Sequence, residues 1–408
     1  MLILFKMTGI KRYLNSRMLT ILLMGYSSGI PLALTASTLQ AWMTKEGINI
    51  KTIGIYTLIW IPYNLKFLWA PILDRFSPPF LGRRRGWMVV SQIALIASIL
   101  SLGYSNPIAE PFRIAFLGLL IAFFSASQDI VIDAYRAEIL KPDELGPGAS
   151  LAILGYRIGM ISSSAGALFL ADHYSWNYVY SFMSIGVVVG LVVSFLAKDS
   201  DTPPTPPKTI KEAVFSPLLD LIKRPAALGI LSFTILYKIG DVMAQSFTTP
   251  FMLQIGFSMT EIAAVVKGFG LLATIFGAMI GGYVITKIGI KKSLFIFGLC
   301  QAFSSLCFAA LAYVGHDKVV MTVAIAIENL SAGMGTAALT AFLMSLCNKR
   351  FTGTQYALLT SIAALSRTLV GVPSAMLSAS FGWFYFFIFC MFAAIPGLVL
   401  VRKMHIAQ

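Results

Sequence analysis

The sequence predicts an all-α integral membrane protein of twelve transmembrane helices in two six-helix halves, and three observations lead there. First, of 408 residues 57% are hydrophobic and only 12% charged, with mean hydropathy +0.81, a composition outside the range of soluble domains. Second, the apolar residues gather in windows of about 20, each long enough to cross a hydrocarbon core of roughly 30 Å as a helix. Strand-type alternation is lacking, which argues against a barrel. Third, one charged, proline-rich stretch from Lys198 to Pro225 splits the windows six and six.

The windows lie near 18–42, 52–73, 87–105, 112–137, 149–171, 176–197, 226–250, 261–286, 292–314, 319–346, 355–379 and 382–401. Lys6, Lys11, Arg12 and Arg17 precede the first, which is long and lacks a small-residue cleavage site, so it reads as a retained helix. The net charge of +14 does not point to nucleic acid. With the amino terminus inside, the outer loops hold only Lys45, Lys51, Arg113 and Lys318, and the basic excess falls on the inner side. Both termini are therefore expected in the cytoplasm. The organisation that follows is a bundle over 1–197, a linker over 198–225 with a surface amphipathic helix at 208–222, and a second bundle over 226–408. Cys300, Cys307, Cys347 and Cys390 lie in or beside apolar windows, where no disulfide is expected. His173, His316 and His405 fall in loops or the tail, so neither a metal site nor a cofactor is expected.

The stretch SASQDIVIDAYRAE, from Ser125 to Glu138, places Asp129, Asp133 and Arg136 on one helix face. A carboxylate deep in a lipid-spanning segment costs roughly 2.5 to 3.5 kcal/mol on insertion scales, so it should face a polar cavity or a partner. Asp129 lies about 13 Å from Glu138 by helical rise, which makes Gln128 and Asp129 the cavity candidates. A carboxyl taken out of water holds a proton more readily, as proton coupling needs. Asp133 and Arg136, near the inner boundary, read as a gate pair. Arg157 is available to Asp133 or Asp129, as a structural partner or in binding.

In the second window Pro62, Asn64, Lys66 and Pro71 interrupt an apolar run. Lys66, near mid-depth, is expected to face substrate or an acid. Tyr56, Trp60, Tyr63 and Trp69 either stack on sugar rings or anchor the helix. In the first window Gly25 and Gly29 allow close helix contact, and Gln40 with neighbouring hydroxyls either packs or lines a path. Gly148, Gly155, Gly159 and Gly166 form a small-residue stripe that should pack tightly against a neighbour. In the second half Lys238 and Asp241 stand three apart, Glu328 adjoins Asn329, and Arg367 is central in its window. Asp241 and Glu328 join Asp129 as proton-coupling candidates. The slight basic balance in the windows favours an anionic or zwitterionic cargo. Segment 281–295, GGYVITKIGIKKSLF, repeats the place of the Asp74 loop, as two related halves require.

The loop DRFSPPFLGRRRGW partly matches the G-x-x-x-D-R-x-G-R-[KR] pattern of major facilitator transporters, through Asp74, Arg75, Gly82, Arg83 and Arg84. In that superfamily this loop helps to lock the inner gate. With GYSSGIPLALTASTLQAWM, TIGIYTLIWIPYNLKFLWAPILDRFSPPFLGRRRGW and SASQDIVIDAYRAEIL, the chain resembles the AmpG family of muropeptide permeases. The resemblance implies proton-driven import of anhydro-muramyl peptides across the bacterial inner membrane, cell-wall recycling and, where an inducible β-lactamase exists, a part in its induction. Candidate groups for such a cargo are Lys66, Lys238 and Arg367 for carboxylates, and Gln40, Tyr63, Asn64 and Gln128 for amides, hydroxyls and sugar faces. Asp74, Arg83, Asp133, Arg136 and Arg157 are the gating candidates. The expected partners are the muropeptide, protons and membrane lipid, with the protein a monomer. Transport of another anion such as acetyl-coenzyme A is the alternative. A membrane enzyme acting on glycan is disfavoured, since no catalytic constellation of histidine and acid is visible.

Overall fold

The computed structural model describes residues 13–199, 205–224 and 227–403, apart from the side chains at 50, 51, 54, 57, 367, 368 and 372. Lys6, Lys11, Arg12, His405 and linker positions 200–204 and 225–226 lie outside the described residues. The described secondary structure is helical: α1 Ser16–Lys45, α2 over 50–75, α3 Gly82–Gly103, α4 Pro111–Ile139, α5 Pro142–Ala171, α6 Trp176–Leu196, α7 Ile210–Ile222, α8 Ala227–Gln254, α9 Met259–Val314, α10 Lys318–Leu346, α11 Thr352–Ala393 and α12 Ile395–Lys403. Nine helices among the described residues are long and apolar enough to cross a membrane.

Local sequence explains where these rods break. The expected helix at 52–73 is a chain of short α and 3₁₀ turns, because Pro62 and Pro71 deny the ladder its donors. α9 continues over 45 residues from Gly270 to Val314 only through Gly289, whose φ of 79° and ψ of 166° are not helical. A straight rod of that length would run about 67 Å. Gly382, at φ 74°, divides α11 in the same way. α8 is interrupted at Lys238, with φ −101° and ψ 3°.

The chain forms two compact units. Unit 1 comprises Met1–Lys141, Leu151–Leu219 and Cys347–Leu358; unit 2 comprises Pro142–Ser150, Asp220–Leu346 and Leu359–Gln408. Each unit thus takes a segment from the far side of the linker. In unit 1, α1 and α5 cross at their glycines: a Cβ on Gly29 or Gly159 would run into the carbonyl oxygens of Tyr156 and Tyr26 respectively. Gly166 of the expected stripe meets only its own helix, at Ile161. Lipid tails are as apolar as side chains, so such close backbone approach, more than hydrophobic burial, holds membrane helices together. Trp42, Trp176 and Tyr180 pack around it, the two indoles 5.4 Å apart. Unit 2 buries Phe251, Phe308, Phe386 and Phe387, and α9 meets α10 where Gly277 faces Leu330 and Gly333 faces Thr274.

α7 is amphipathic, with Phe215, Leu219 and Ile222 exposed on one side and Ala213 and Leu221 buried on the other. Glu212 pairs with Arg350 at 2.6 Å and the Pro217 carbonyl accepts from Gln355 at 3.2 Å, both within unit 1.

Gly159→Leu is expected to cost about 1–3 kcal/mol, because the added volume meets backbone that cannot yield. A lowered thermal midpoint of the purified protein is the measurement, and an unchanged midpoint contradicts the crossing.

Candidate functional site

Unit 1 places charge at two levels along α4. At the deeper level the Ser28 hydroxyl of α1 donates to Asp129 Oδ1 at 2.5 Å. One turn on, Asp133 takes Arg136 Nη2 at 2.7 Å and Lys66 Nζ at 3.8 Å. Arg136 Nη2 also donates to the Tyr356 hydroxyl at 3.1 Å. Lys66 lies in the broken part of α2, just after Leu65 leaves helical geometry, and its ammonium reaches α4 at Asp133. Among the contacts named here, two cations stand with two carboxylates. Gln128 is fully buried and neither amide atom makes a hydrogen bond.

At the end of α4, Asp74, wholly buried, pairs with Arg84 Nη1 at 2.7 Å, and Arg84 Nη2 pairs with Glu138 Oε1 at 2.5 Å. Arg83 donates to the Asp74 carbonyl at 3.0 Å and pairs with Glu138 at 3.5 Å. The Asp74 carboxylate also accepts from Gly353 N at 3.3 Å and from Thr354 N and Oγ1, both at 2.7 Å. It thus caps the N-terminus of α11, where unpaired N–H groups and the helix dipole favour an anion.

Unit 2 holds a separate polar chain. Lys238 Nζ pairs with Asp241 Oδ2 at 2.7 Å and approaches Gln301 Oε1 and the Ala332 carbonyl, each at 3.4 Å. Gln245 Nε2 donates to Glu328 Oε1 at 2.8 Å and to Asp241 Oδ1 at 3.4 Å. Asn329 Nδ2 donates to Glu328 Oε2 at 2.7 Å, and Thr274 Oγ1 donates to Asn329 Oδ1 at 2.8 Å. Lys238 reaches this chain because the break in α8 frees it from the helical wall. One cation faces two carboxylates, so among the described side chains this cluster carries a surplus negative charge.

The structure brings together Lys66, Asp129, Asp133 and Arg136 in unit 1, and Lys238, Asp241 and Glu328 in unit 2. Asp74 and Arg83 meet at the end of α4. Tyr63 is half-buried with its hydroxyl enclosed, Gln40 and Arg157 are half-buried, and Asn64 is exposed. The Arg367 side chain lies outside the described residues. Three aromatics of α2 are tied by hydrogen bonds: Trp69 Nε1 donates to Ser127 at 2.9 Å, Trp60 Nε1 to the Thr35 carbonyl at 3.3 Å, and Tyr56 OH to the Pro111 carbonyl at 2.7 Å. The sequence reading left out Gln245, Thr274, Gln301, Thr354 and Tyr356. Gln245 was within reach, one turn after Asp241 on the same face; the others are joined only by the tertiary fold.

Residues 18–371 match the family model of the Major Facilitator Superfamily. The anhydromuropeptide permease of Escherichia coli (strain K12) is 43% identical over 384 residues, 93% of this chain and 78% of the permease. A protein of Rickettsia felis named putative transporter AmpG 4 is 32% identical over 410 residues, 97% of this chain and 98% of its own. The chain belongs to the AmpG family of the major facilitator superfamily. Solved structures share the fold at low identity. The proton:xylose symporter XylE aligns with TM-score 0.67 at 12% identity, covering 94% of this chain and 93% of XylE. The human organic anion transporter MFSD10 aligns with TM-score 0.68 at 16% identity, covering 94% and 98%. The all-helical class expected from hydropathy and the major facilitator fold that the resemblance implied are thus what is found.

Removing Arg84 leaves two buried carboxylates facing each other. Arg84→Ala is expected to destabilise by about 3–5 kcal/mol, read as lost thermal stability in detergent, and Arg84→Lys should recover only part, since a single ammonium cannot fork to both acids. Wild-type stability in Arg84→Ala would contradict the network.

Proposed function

We propose that the chain is a proton-coupled permease that imports anhydro-muramyl peptides from periplasm to cytosol across the bacterial inner membrane, and is not an enzyme. The observation that carries transport is charge buried inside otherwise apolar helices of both units, around Asp129 and Asp133 and around Asp241 and Glu328. Such groups are costly in lipid and persist where they handle ions or polar cargo. The cargo is supported by the likeness to the Escherichia coli permease.

Twelve crossings in two six-helix halves are proposed, with both termini in the cytoplasm and the protein acting as a monomer. The broken segment 50–75 supplies a crossing that length alone conceals, and Gly289 and Gly382 each turn one long helical run into two. The capping of α11 by Asp74 serves as a lock on the cytoplasmic side, with Arg83, Asp133, Arg136 and Arg157 in its support. Gln40, Tyr63, Asn64, Gln128 and Arg367 are proposed to contact cargo together with Lys66 and Lys238. Both lysines are already paired, so a cargo carboxylate competes with Asp133 or Asp241 for them, and protonation of the acid tips that competition toward cargo. Asp129, Asp241 and Glu328 are the proposed proton sites.

Proteoliposomes are expected to accumulate a defined anhydro-muropeptide faster as the outer pH falls, and to stop when a protonophore collapses the gradient. Uptake indifferent to both removes proton coupling, and no uptake at all removes the cargo. Asp129→Asn should abolish gradient-driven accumulation while leaving exchange intact. Lys66→Ala is expected to weaken binding roughly 10- to 100-fold, the worth of a hydrogen bond to a charged group; unchanged affinity in a direct binding assay takes Lys66 out of the site.

A further inference from the structure

Glu328 is a buried acid whose direct partners are side-chain amides. No described cation pairs with it directly, and each of its oxygens faces the NH₂ of an amide: Oε1 faces Gln245 and Oε2 faces Asn329. An ionised carboxylate only accepts, so this arrangement suits the charged form. A proton arriving on either oxygen puts an O–H against an NH₂, and one amide has to turn.

The two amides are not equally free. Asn329 is committed at both ends, its Nδ2 donating also to the Ile325 carbonyl at 3.0 Å and its Oδ1 accepting from Thr274 at 2.8 Å. Turning it breaks both bonds. Gln245 is an exposed side chain whose only other hydrogen bond among the described residues is the long one to Asp241 at 3.4 Å. We propose that Gln245 is the moving part of the unit 2 cluster, turning its amide when Glu328 takes a proton and so passing that event to the Asp241–Lys238 pair. The inference rests on the reading of Glu328 as a proton site.

The change balances without covalent chemistry in Gln245. Glu328 gains one proton from water. Before it, the Gln245 NH₂ donates to Glu328 Oε1 and Asp241 Oδ1; after it, the Glu328 O–H donates to Gln245 Oε1, and a carbonyl oxygen rather than a donor lies against Asp241. Asp241 then depends on Lys238, whose ammonium is drawn from Gln301 and the Ala332 carbonyl toward it. The groups bearing on Glu328 are Asp241, Gln245 and, through Asp241, Lys238 from α8, Thr274 and Gln301 from α9, and Asn329 on its own helix. The Tyr237 hydroxyl beside them is spent on the Leu294 carbonyl at 3.1 Å. Gln245 is a positioning residue in this scheme.

Infrared difference titration of the purified protein tests it without any muropeptide, so a failure of the cargo reading leaves the result legible. The protonated-carboxyl band of Glu328 is the one lost in Glu328→Gln. In Gln245→Leu, loss of a donor to the ionised form favours the protonated one, so the band's midpoint should move by about one pH unit toward alkaline. In the wild type the side-chain amide C=O band lost in Gln245→Leu should shift together with Glu328. Gln245→Met, which keeps the stem's length, serves where the leucine variant does not fold. An unmoved midpoint in a folded variant, an amide band that ignores Glu328, or a Glu328 that takes up no proton across the accessible range overturns the proposal.

Discussion

Arg84 lies between Asp74 and Glu138, and much of unit 1 is arranged around that one guanidinium. Neither carboxylate can be left alone in a dry interior, and Asp74 has a further duty as the acceptor for the first N–H groups of α11. The contact joins the end of α2, the first turn of α3, the end of α4 and the start of α11 at a buried point. Apolar burial gives little preference for one helix neighbour over another when lipid is the alternative. A buried charge does, because it tolerates only the geometry that satisfies it.

The same constraint explains the interruptions in the helices. A widened turn frees carbonyls that an apolar surrounding cannot satisfy, and other helices answer them. In α1 the turn at Leu34–Thr38 exposes the carbonyls of Leu34 and Thr35, which accept from Tyr180 and Trp60. Breaks in α2 and α8 fall at Lys66 and Lys238, the two lysines that reach buried acids. Irregular backbone and these paired lysines coincide because the first lets the second leave the helix wall.

The two units meet the problem of buried charge differently. Around Asp133 and Asp129 the named contacts set two cations with two carboxylates. Around Glu328 amides stand where a second cation would be, so charge is tolerated without being cancelled. Asp129 in unit 1 is a third case: among the described residues it is held by the Ser28 hydroxyl, and it is the deepest acid of α4 by sequence position.

Hydropathy, charge placement and the Asp74 loop were enough to read the helical class, the superfamily and the residues too costly to bury without purpose. These are one-dimensional properties: the length of an apolar run and the price of a charge within it need no knowledge of neighbours. The pairing of Lys238 with Asp241 was legible for the same reason, three residues being one helical turn. Which acid Lys66 meets, that Asp74 caps a helix beginning at Thr352, and that Gln245 bridges two carboxylates were decided by the tertiary structure. Those contacts join residues far apart in the chain or set by local breaks, and only packing in three dimensions fixes which polar group stands opposite which.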